Sequence, residues 1–524
     1  MSEIRWLAGE AAVRAVVEDW WVDPERSGAR ARVLRDNPRR RLVRIESEAA
    51  GVLLVKHYRL GSGRHPLRER VKGWLGRSPA DREFRSLARL REAGIPVPAP
   101  LARGAVAGGD RLIVTRFVEG ENLAEALRGA PKARRQGLVA LGVVLAALHE
   151  RGWLHGDLHG GNVRMTPRGP VLLDLQHARR GRSRRARARD LARLDHSLWA
   201  AGVPLTDRVR VRAAGLRLTR PFDPRARREL ARVGRATRAR FHEHARSRHR
   251  RALQPGRRIG RLRLDGHGGL RLRGIEEVEV AAAWAAHREA LARDDSRVLK
   301  NDGRSRITAV SAGAHRLVVK EVLPRGLWRH LADALRGSPA RRAWRGGHGL
   351  AARGLGAATP LAYLEGRRLG LPAGSLLFLE DLRPALPADA FPGGPEPLAR
   401  AVAVLGRLAR DLHARGADHG DLKASHVYLD PAAPELAPRL IDLEGVRFAR
   451  RVGGRRRLRA LAQLNASLPD RFANDARREA FVRYARALPF RGGRERALRQ
   501  VVAESLARQH RWTGCPKGSA TPSA

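Results

Sequence analysis

The hydrophobic positions near the start of the chain form short runs separated by turn residues, and those further on form longer helical runs. ARVLRDN and RRRLVRIE flank an Asn-Pro turn, and GVLLVKHY follows as a third apolar run, so we expect three strands joined by short turns. Ser78-Pro79 then opens a helical pattern, with the serine as N-cap and the proline at the first helical position. RLIVTRFVEG predicts another strand, and a mostly helical pattern follows it. The pattern therefore predicts a small sheet with one helix and then a helical lobe, with a cleft between the two.

The same pattern occurs a second time in the other half of the chain. LHERGWLHGDL (148–158) matches LHARGADHGDL (412–422) at an offset of 264 residues, and SPADREF (78–84) matches SPARRAW (338–344) at an offset of 260. A period of domain length indicates a duplicated domain rather than a solenoid of short repeats. We therefore predict an α+β chain built as a tandem duplication of one bilobal domain.

The segment between the copies has the composition of a connection. HRRALQPGRRIGRLRLDGHGGLRLRGIEE (249–277) predicts a linker and then a short hairpin turning at Gly266-His267-Gly268-Gly269, and we place the boundary within 246–258. The predicted organisation is a first domain at 1–245, a linker with a short hairpin and helix at 246–293, a second domain at 294–510 and a disordered tail at 511–524.

Charge adds information about partners. The 104 Lys and Arg residues exceed the 53 Asp and Glu residues and give a formal net charge of +51. Such a balance favours polyanions such as nucleic acid, anionic lipid headgroups or phosphorylated glycans. Basic runs such as RRGRSRRARAR (179–189) lack the interleaved aromatic residues of a single-strand nucleic-acid site. Nucleic acid is therefore disfavoured, whereas an anionic membrane surface stays open.

Cysteine usage and hydropathy address the compartment. The chain has one cysteine, Cys515, so no disulfide framework can form within it, which fits a reducing compartment. The N-terminus lacks a signal-peptide pattern. The longest apolar run, GLVALGVVLAAL (137–148), is too short to span a bilayer and predicts a buried helix. We expect a cytoplasmic protein, at most peripheral on the inner face of the cytoplasmic membrane.

Two lysines stand out because the chain uses arginine almost everywhere else. Lys56 and Lys320 each end an apolar strand at equivalent positions of the two copies, where a charge is costly to bury unless it is paired. A compact ammonium group at such a place suits nucleotide phosphates. Glu83, on the helix that Ser78-Pro79 opens, is the expected partner of Lys56.

The Gly-rich turn HGDLHGGN and the strand PVLLDL carry the remaining candidates. Asp157 and Asn162 lie five residues apart in the turn, and Asp174 ends the strand. An aspartate in such a turn can accept a proton from an attacking hydroxyl, and an asparagine oxygen and a second carboxylate suit a magnesium ion. A Gly-rich turn with an Asx cap would explain any one of these residues alone, but not the ordered set.

The ordered set resembles the protein-kinase-like fold. His155-Gly156-Asp157 stands where protein kinases carry His-Arg-Asp, Asp174-Leu175-Gln176 replaces Asp-Phe-Gly, and no Gly-rich loop precedes the strand lysine. Together with REFRSLARLREAGIPVPAP, these motifs are similar to those of the lipopolysaccharide core kinases, the Kdo/WaaP family. The resemblance covers roughly 29–245 and 294–510.

The resemblance implies transfer of the γ-phosphate of ATP, with Mg²⁺, to a sugar hydroxyl of the lipid A–core saccharide or a related envelope saccharide. It would make Lys56 the phosphate-binding lysine and Glu83 its ion-pair partner. Asp157 would be the catalytic base, and Asn162 and Asp174 would be the magnesium ligands. Asp190 matches the helical aspartate that braces the catalytic loop in this fold.

The second copy keeps some of this set and loses the rest. Lys320, Asp421 and Asp442 stay as predicted cofactor-binding residues, but Ala343, His426 and Ala460 stand where the first copy has Glu83, Asn162 and Asp190. We expect a pseudokinase or weakly active domain that binds substrate or regulates the first.

Two alternatives stay open at the level of sequence. The acceptor could be a small molecule, as in aminoglycoside- and choline-type phosphotransferases, or a protein Ser/Thr residue. A different class is a non-catalytic pseudokinase scaffold that holds anionic lipid or glycan.

Overall fold

The computed structural model describes residues 3–23, 30–60, 71, 74–106, 109–218, 223–323, 333, 336–368, 371–433 and 435–514. The chain divides into two compact units, Met1–Phe241 and His242–Ala524. Each unit is described in turn.

The first unit opens with a six-stranded antiparallel sheet. Its strands are β1 (Ile4–Gly9), β2 (Arg30–Asn37), β3 (Arg40–Ser47), β4 (Gly51–Tyr58), β5 (Pro100–Val106) and β6 (Arg111–Arg116), in the order β1-β5-β6-β4-β3-β2. Helix α1 (Ala11–Val22) follows β1, and α2 (Pro79–Glu92) follows β4. Ser78 caps α2 by accepting the Asp81 N–H, and Asp81 returns a bond to the Ser78 N–H, with Pro79 at the first helical position. This helix start is as predicted.

A helical lobe follows the sheet of the first unit. It contains α3 (Leu123–Ala126), α4 (Pro131–Glu150), α5 (Arg184–Ala200) and α6 (Leu205–Gly215), with the short strands β7 (Glu121–Asn122), β8 (Trp153–Leu154), β9 (Val163–Thr166), β10 (Gly169–Leu172) and β11 (Arg179–Arg180). Helix α7 (Pro224–Arg251) begins in the first unit and continues past its boundary at Phe241. The apolar run 137–148 lies inside α4, and Leu141, Leu145 and Leu148 of this helix are fully buried in the lobe's core. Burial of this face supplies the main favourable free energy of the lobe.

The second unit repeats this plan. Its sheet has the order β12-β13-β17-β18-β16-β15-β14, formed by β12 (Ile259–Leu264), β13 (His267–Leu272), β14 (Val298–Asn301), β15 (Ser305–Ala312), β16 (His315–Val322), β17 (Pro360–Arg368) and β18 (Leu371–Glu380). Helix α8 (Glu277–Arg293) follows β13, and α9 (Pro339–Ala351) follows β16 at some distance along the chain.

The helical lobe of the second unit contains α10 (Pro395–Ala414), α11 (Gly454–Ser467), α12 (Asn474–Ala487) and α13 (Arg494–Leu506), with β19 (Leu386–Pro387), β20 (Ala417–Asp418), β21 (Val427–Leu429), β22 (Arg439–Leu440) and β23 (Arg447–Phe448). β20 pairs with β23 as β8 pairs with β11, so the short strands that frame the Gly-rich turns recur in both units. The α+β plan of sheet, helix and helical lobe therefore occurs twice, as predicted.

The segment 246–293, predicted as a linker with a short hairpin and helix, contains the end of helix α7, a hairpin and helix α8. Helix α7 continues to Arg251, and the hairpin that follows turns at Asp265-Gly266, so that His267 already pairs with Leu264. Strand β13 pairs with β17, which makes the hairpin part of the second unit's sheet. β13 and α8 occupy the places that β1 and α1 hold in the first unit. The repeat therefore begins earlier than the motif matches indicated, because its first strand and helix carry no recognisable motif.

The C-terminal segment also departs from the prediction of a disordered tail, in the four residues that are described. Trp512 is buried, its Nε1–H donates to the Asn474 side chain over 3.1 Å, and Thr513 bonds Asp470. The rest of that predicted tail, including Cys515, lies outside the described residues. Among the described residues, no helix is long and apolar enough to cross a membrane.

Candidate active site

The centre of the first unit is a buried ion pair between the sheet and helix α2. The Lys56 ammonium on β4 donates to the Glu83 carboxylate on α2 over 2.5 Å, and both side chains are almost fully buried. The second Glu83 oxygen accepts the Tyr58 hydroxyl. Two donors on one carboxylate compensate for its removal from water. The structure thus brings together the two residues that the sequence proposed as partners.

Two further residues of this face were not found from the sequence. Arg40 on β3 lies opposite Tyr58 in the strand register, and its guanidinium carbon lies 5.7 Å from the centre of the Tyr58 ring. The same guanidinium bonds Asp174 over 3.2 Å. A continuous set of contacts therefore runs from Lys56 through Glu83, Tyr58 and Arg40 to Asp174. Arg40 joins this set through cross-strand register with Tyr58 and through a contact with Asp174 that spans 134 residues, so no local pattern could have revealed it.

The electrostatics of this face follow from the contacts. Burial alone would lower the pKa of the Arg40 guanidinium, but Asp174 and Tyr58 outweigh burial and raise that pKa. Burial and the neighbouring Glu83 carboxylate hold the pKa of Tyr58 well above its usual value. Tyr58 therefore stays a neutral donor to Glu83, and Arg40 stays a cation beside Asp174.

The Gly-rich turn is held from behind by Asp190 on α5. Its carboxylate accepts the backbone N–H of His155 over 2.9 Å and of Gly156 over 3.0 Å, and the Nε2–H of His149 over 3.1 Å. Gly156 has a φ of 84°, and a Cβ there would collide with the His177 carbonyl oxygen, so glycine is required at this position. The turn is fixed in a conformation that leaves the Asp157 side chain about half exposed.

Asp157, Asn162 and Asp174 offer oxygen atoms suited to a divalent cation. The Asn162 amide nitrogen donates to the Asp157 carbonyl over 2.9 Å, which leaves the amide oxygen as its acceptor atom. Asp174 has left-handed backbone, with a φ of 55°. Its Oδ2 accepts Arg40, and its Oδ1 is a buried atom with no hydrogen-bond partner within the described part of the chain. A partly paired carboxylate in strained backbone is typical of a site that awaits a ligand, and an amide and a carboxylate oxygen fit magnesium.

The second unit pairs its lysine differently. Lys320 on β16 donates to Asp442 over 3.0 Å and to Glu444 over 2.7 Å. Burial would lower the pKa of Lys320, but Glu444 and then Asp442 outweigh burial and raise it. Burial would likewise raise the pKa of Asp442, but Lys320 holds it below its usual value. Ala343 is buried at the place that the sequence assigned to the missing glutamate, and Glu444 was not foreseen.

The Gly-rich turn of the second unit brings a metal-ligand set together. One ligand atom each of Asp421, His426 and Asp442 lies within 4.8 Å of the others. His426 bonds the Asp421 carbonyl over 2.9 Å, as Asn162 bonds the Asp157 carbonyl in the first unit. Asp442 has a φ of 54°, close to that of Asp174. The two turns therefore share one geometry despite the exchange of asparagine for histidine.

Comparisons with known proteins identify the family of the chain. The model of the lipopolysaccharide kinase (Kdo/WaaP) family matches residues 25–214 and 290–484. The 3-deoxy-D-manno-octulosonic acid kinase of Xylella fastidiosa strain M12 is 30% identical over 190 residues, which cover 35% of this chain and 73% of the relative. The corresponding kinase of strain 9a5c is 29% identical over the same shares.

Two solved structures are similar in part. A structure of WaaP in complex with acyl carrier protein aligns with a TM-score of 0.30 and 20% identity, and the alignment covers 44% of this chain and 94% of that one. The aminoglycoside-3'-phosphotransferase of type VIII aligns with a TM-score of 0.29 and 19% identity, over 43% of this chain and 100% of that one.

The family match and the kinase relatives show that the chain is a kinase of the protein-kinase-like class that phosphorylates a hydroxyl group. The family match extends over well more than half of the chain, in both units. The chain belongs to the lipopolysaccharide kinase (Kdo/WaaP) family, as the sequence motifs indicated.

The brace at Asp190 generates a pH-dependent prediction. Burial would raise the pKa of Asp190, but the donors from His149 and His155 outweigh burial and lower the pKa below 3.8. The stabilisation is therefore fully present above about pH 4 and is lost as the pH falls through the lowered pKa. Asp190→Asn should cost roughly 1.5–3 kcal/mol at pH 7, because it removes a charged acceptor from three donors. The difference in thermal unfolding from the unmodified protein should shrink at pH 3. Asp265→Asn, at an exposed turn, is the control, and an equal difference at both pH values would contradict the account.

Proposed function

We propose that the chain is an ATP- and Mg²⁺-dependent kinase that phosphorylates a sugar hydroxyl of the lipopolysaccharide core or of a related envelope saccharide, with the chemistry in the first unit. The observation that carries the proposal is the contact path from the Lys56–Glu83 pair to Asp174. It connects a phosphate-binding cation in the sheet with a cation ligand at the edge of the helical lobe.

The substrate class is supported by the family and by its relatives. Curated relatives at 29–30% identity are kinases of 3-deoxy-D-manno-octulosonic acid, a sugar acid. A sugar acid offers hydroxyl acceptors beside a negative charge. The excess of 104 cationic over 53 acidic residues favours approach of such an acidic substrate.

The proposed mechanism assigns one task to each side chain. Lys56, held by Glu83, would bind the phosphates of ATP and orient them. Asp157 would accept the proton of the acceptor hydroxyl. The oxygen of that hydroxyl would bond to the γ-phosphorus while the bond between the γ-phosphorus and the β-phosphate oxygen breaks, which releases ADP. Asn162 and Asp174 would hold the divalent cation, which offsets the negative charge of the phosphates when bound. Asp190 would be a positioning residue, because it fixes the turn that carries Asp157.

Arg40 also has a role in the proposed mechanism. In the described structure it neutralises Asp174, the residue that must ligate the cation. A divalent cation at Asp174 would compete with that guanidinium for the same carboxylate. Arg40 would then be available to the phosphates, with which a guanidinium can form strong bidentate bonds. This exchange would help to clamp the triphosphate in a protein whose sequence has no Gly-rich loop before the strand lysine.

The second unit is proposed to bind substrate or to regulate the first. It keeps a partly buried lysine with two carboxylate partners and the aspartate of the turn, but it has alanines in place of Glu83 and Asp190. A non-catalytic role for the whole chain is less favoured, because the first unit retains the complete set of side chains.

We further propose that the protein associates with anionic membrane surfaces. Helices α5 and α7 of the first unit expose arginines at 184, 185, 189, 225 and 228. Raising the salt concentration from about 0.1 M to about 1 M shortens the screening length from roughly 10 Å to 3 Å. Binding to vesicles that contain anionic lipid, measured by co-sedimentation, should fall steeply over this range. Turnover of a soluble sugar acceptor should fall much less, and parallel losses would count against the membrane role.

The assignment of the catalytic unit can be tested with a matched pair of variants. Asp157→Asn removes the proposed base without a change in size, so the turnover number for ATP-dependent sugar phosphorylation should fall by roughly 10²–10⁴-fold. Nucleotide affinity should change little, because Asp157 does not contact the phosphates in the proposed mechanism. Asp421→Asn, the same change at the equivalent turn, should leave most of the turnover. The reverse result would mean that the second unit is the catalytic one.

A further inference from the structure

The losses of Glu83 and Asp190 in the second unit are each accompanied by a new carboxylate nearby that the first unit lacks. Glu444 stands two residues after Asp442, where the first unit has Gln176 two residues after Asp174. Asp418 stands three residues before Asp421, where the first unit has Leu154 three residues before Asp157. Both new carboxylates accept hydrogen bonds that the missing residues would have accepted.

Glu444 is an ion-pair partner of Lys320, for which helix α9 offers no glutamate. Its carboxylate lies 2.7 Å from the Lys320 ammonium, a shorter contact than the one to Asp442. The packing of α9 explains the exchange. A Cβ at Gly346 of this helix would collide with the Leu443 carbonyl oxygen, so the helix lies directly against the turn that carries Glu444. This close approach places the glutamate on the turn instead of on the helix.

Asp418 accepts a backbone N–H of the turn in the second unit, which lacks an equivalent of Asp190. Its carboxylate accepts the Gly420 N–H over 3.3 Å and is largely buried. His413, equivalent to the histidine that bonds Asp190, instead bonds the Tyr484 hydroxyl over 2.7 Å. One contact is unchanged, because Ser467 accepts the Ala424 N–H as Ser197 accepts the Gly160 N–H. The groups that lost a partner have found another, which is not the result expected of unconstrained decay.

The turn of the second unit also carries three side chains that could bind a metal ion. Asp421, His426 and Asp442 offer two carboxylates and one imidazole within 4.8 Å of one another. The first unit offers the oxygen of Asn162 instead of the imidazole. Imidazole favours transition metals over magnesium, whereas oxygen ligands favour magnesium.

We propose that the cleft of the second unit is a second site for a nucleoside triphosphate and a divalent cation, in which Glu444 and Asp418 serve as positioning residues in place of Glu83 and Asp190. The imidazole of His426 gives this site a stronger preference for Mn²⁺ over Mg²⁺ than the first site has. The inference rests on the proposed function for the chemical class of the ligand, and it specifies the regulatory role of the second unit as nucleotide binding.

The experiment uses the full chain with the first site disabled by Lys56→Ala and Asp174→Ala. Binding of a fluorescent ATP analogue is measured by titration in Mn²⁺ and in Mg²⁺. This protein should still bind one equivalent of analogue. Adding Glu444→Gln should weaken the binding about tenfold or more, because the lysine loses its closer charged partner, and Glu444→Asp should recover part of the loss. The matched control is Glu435→Gln, at a glutamate that is 88% exposed, and it should change nothing.

The outcomes separate this inference from the proposed function. No binding by the disabled protein, or equal binding with and without Glu444→Gln at an unchanged melting temperature, would overturn the inference. The converse protein, with Lys320→Ala and Asp442→Asn, reports the first site alone. If this protein binds the analogue and the disabled one does not, only the second site is refuted, whereas absence of binding in both refutes the proposed function. A Mn²⁺-to-Mg²⁺ affinity ratio no greater at the second site than at the first would remove His426 from the ligand set.

Discussion

A lysine at the inner end of a sheet strand cannot stay charged without a carboxylate, and both units are arranged around that requirement. A buried ammonium group without a partner would cost several kcal/mol. In the first unit the carboxylate comes from helix α2, which fixes the helix against the sheet through Lys56 and Tyr58. In the second unit the carboxylates come from the turn after β22. The equivalent lysines of the two units are thus paired with carboxylates from two different elements, and each pairing goes with a different packing of the helix.

In the second unit the turn, rather than the helix, supplies the carboxylate for the lysine. Ser86 and Leu87 of α2 are replaced by Gly346 and Gly347 of α9 at an offset of 260. A Cβ at Gly346 would collide with the Leu443 carbonyl oxygen, and one at Gly347 would collide with Pro360. A glutamate at position 343 would enter a space that is already filled, since Ala343 and Trp344 are both buried. The loss of the helix glutamate, the two glycines and the gain of Glu444 therefore form one coupled change in packing.

Local sequence patterns were sufficient for the parts of this protein that depend on neighbours along the chain. The duplication, the Ser78-Pro79 helix start and the two Gly-rich turns each have a signal within a few residues, and the structure contains them. Strand β1 and helix α1 were not predicted. The hairpin and helix within 246–293 were predicted, but as part of a linker, because the pairing of β13 with β17 that places them in the second unit's sheet has no local signal. Arg40 was missed because its contact with Asp174 spans 134 residues of sequence. Alignment of the copies showed what the second unit had lost, but Glu444 and Asp418 stand at other positions, and only three-dimensional contacts reveal that they replace the lost groups.

The roles given to Lys56, Asp157, Asn162 and Asp174 depend on one event, the entry of a cation between the turn and the strand of the first unit. A crystal structure of the full chain with a non-hydrolysable ATP analogue and Mg²⁺ tests this event most directly. We predict that the cation lies within about 2.0–2.1 Å of oxygen atoms of Asn162 and Asp174. Lys56 should stay paired with Glu83 and contact a phosphate, and Arg40 should have left Asp174. A nucleotide bound elsewhere in the first unit, with the Arg40–Asp174 ion pair intact, would contradict the account.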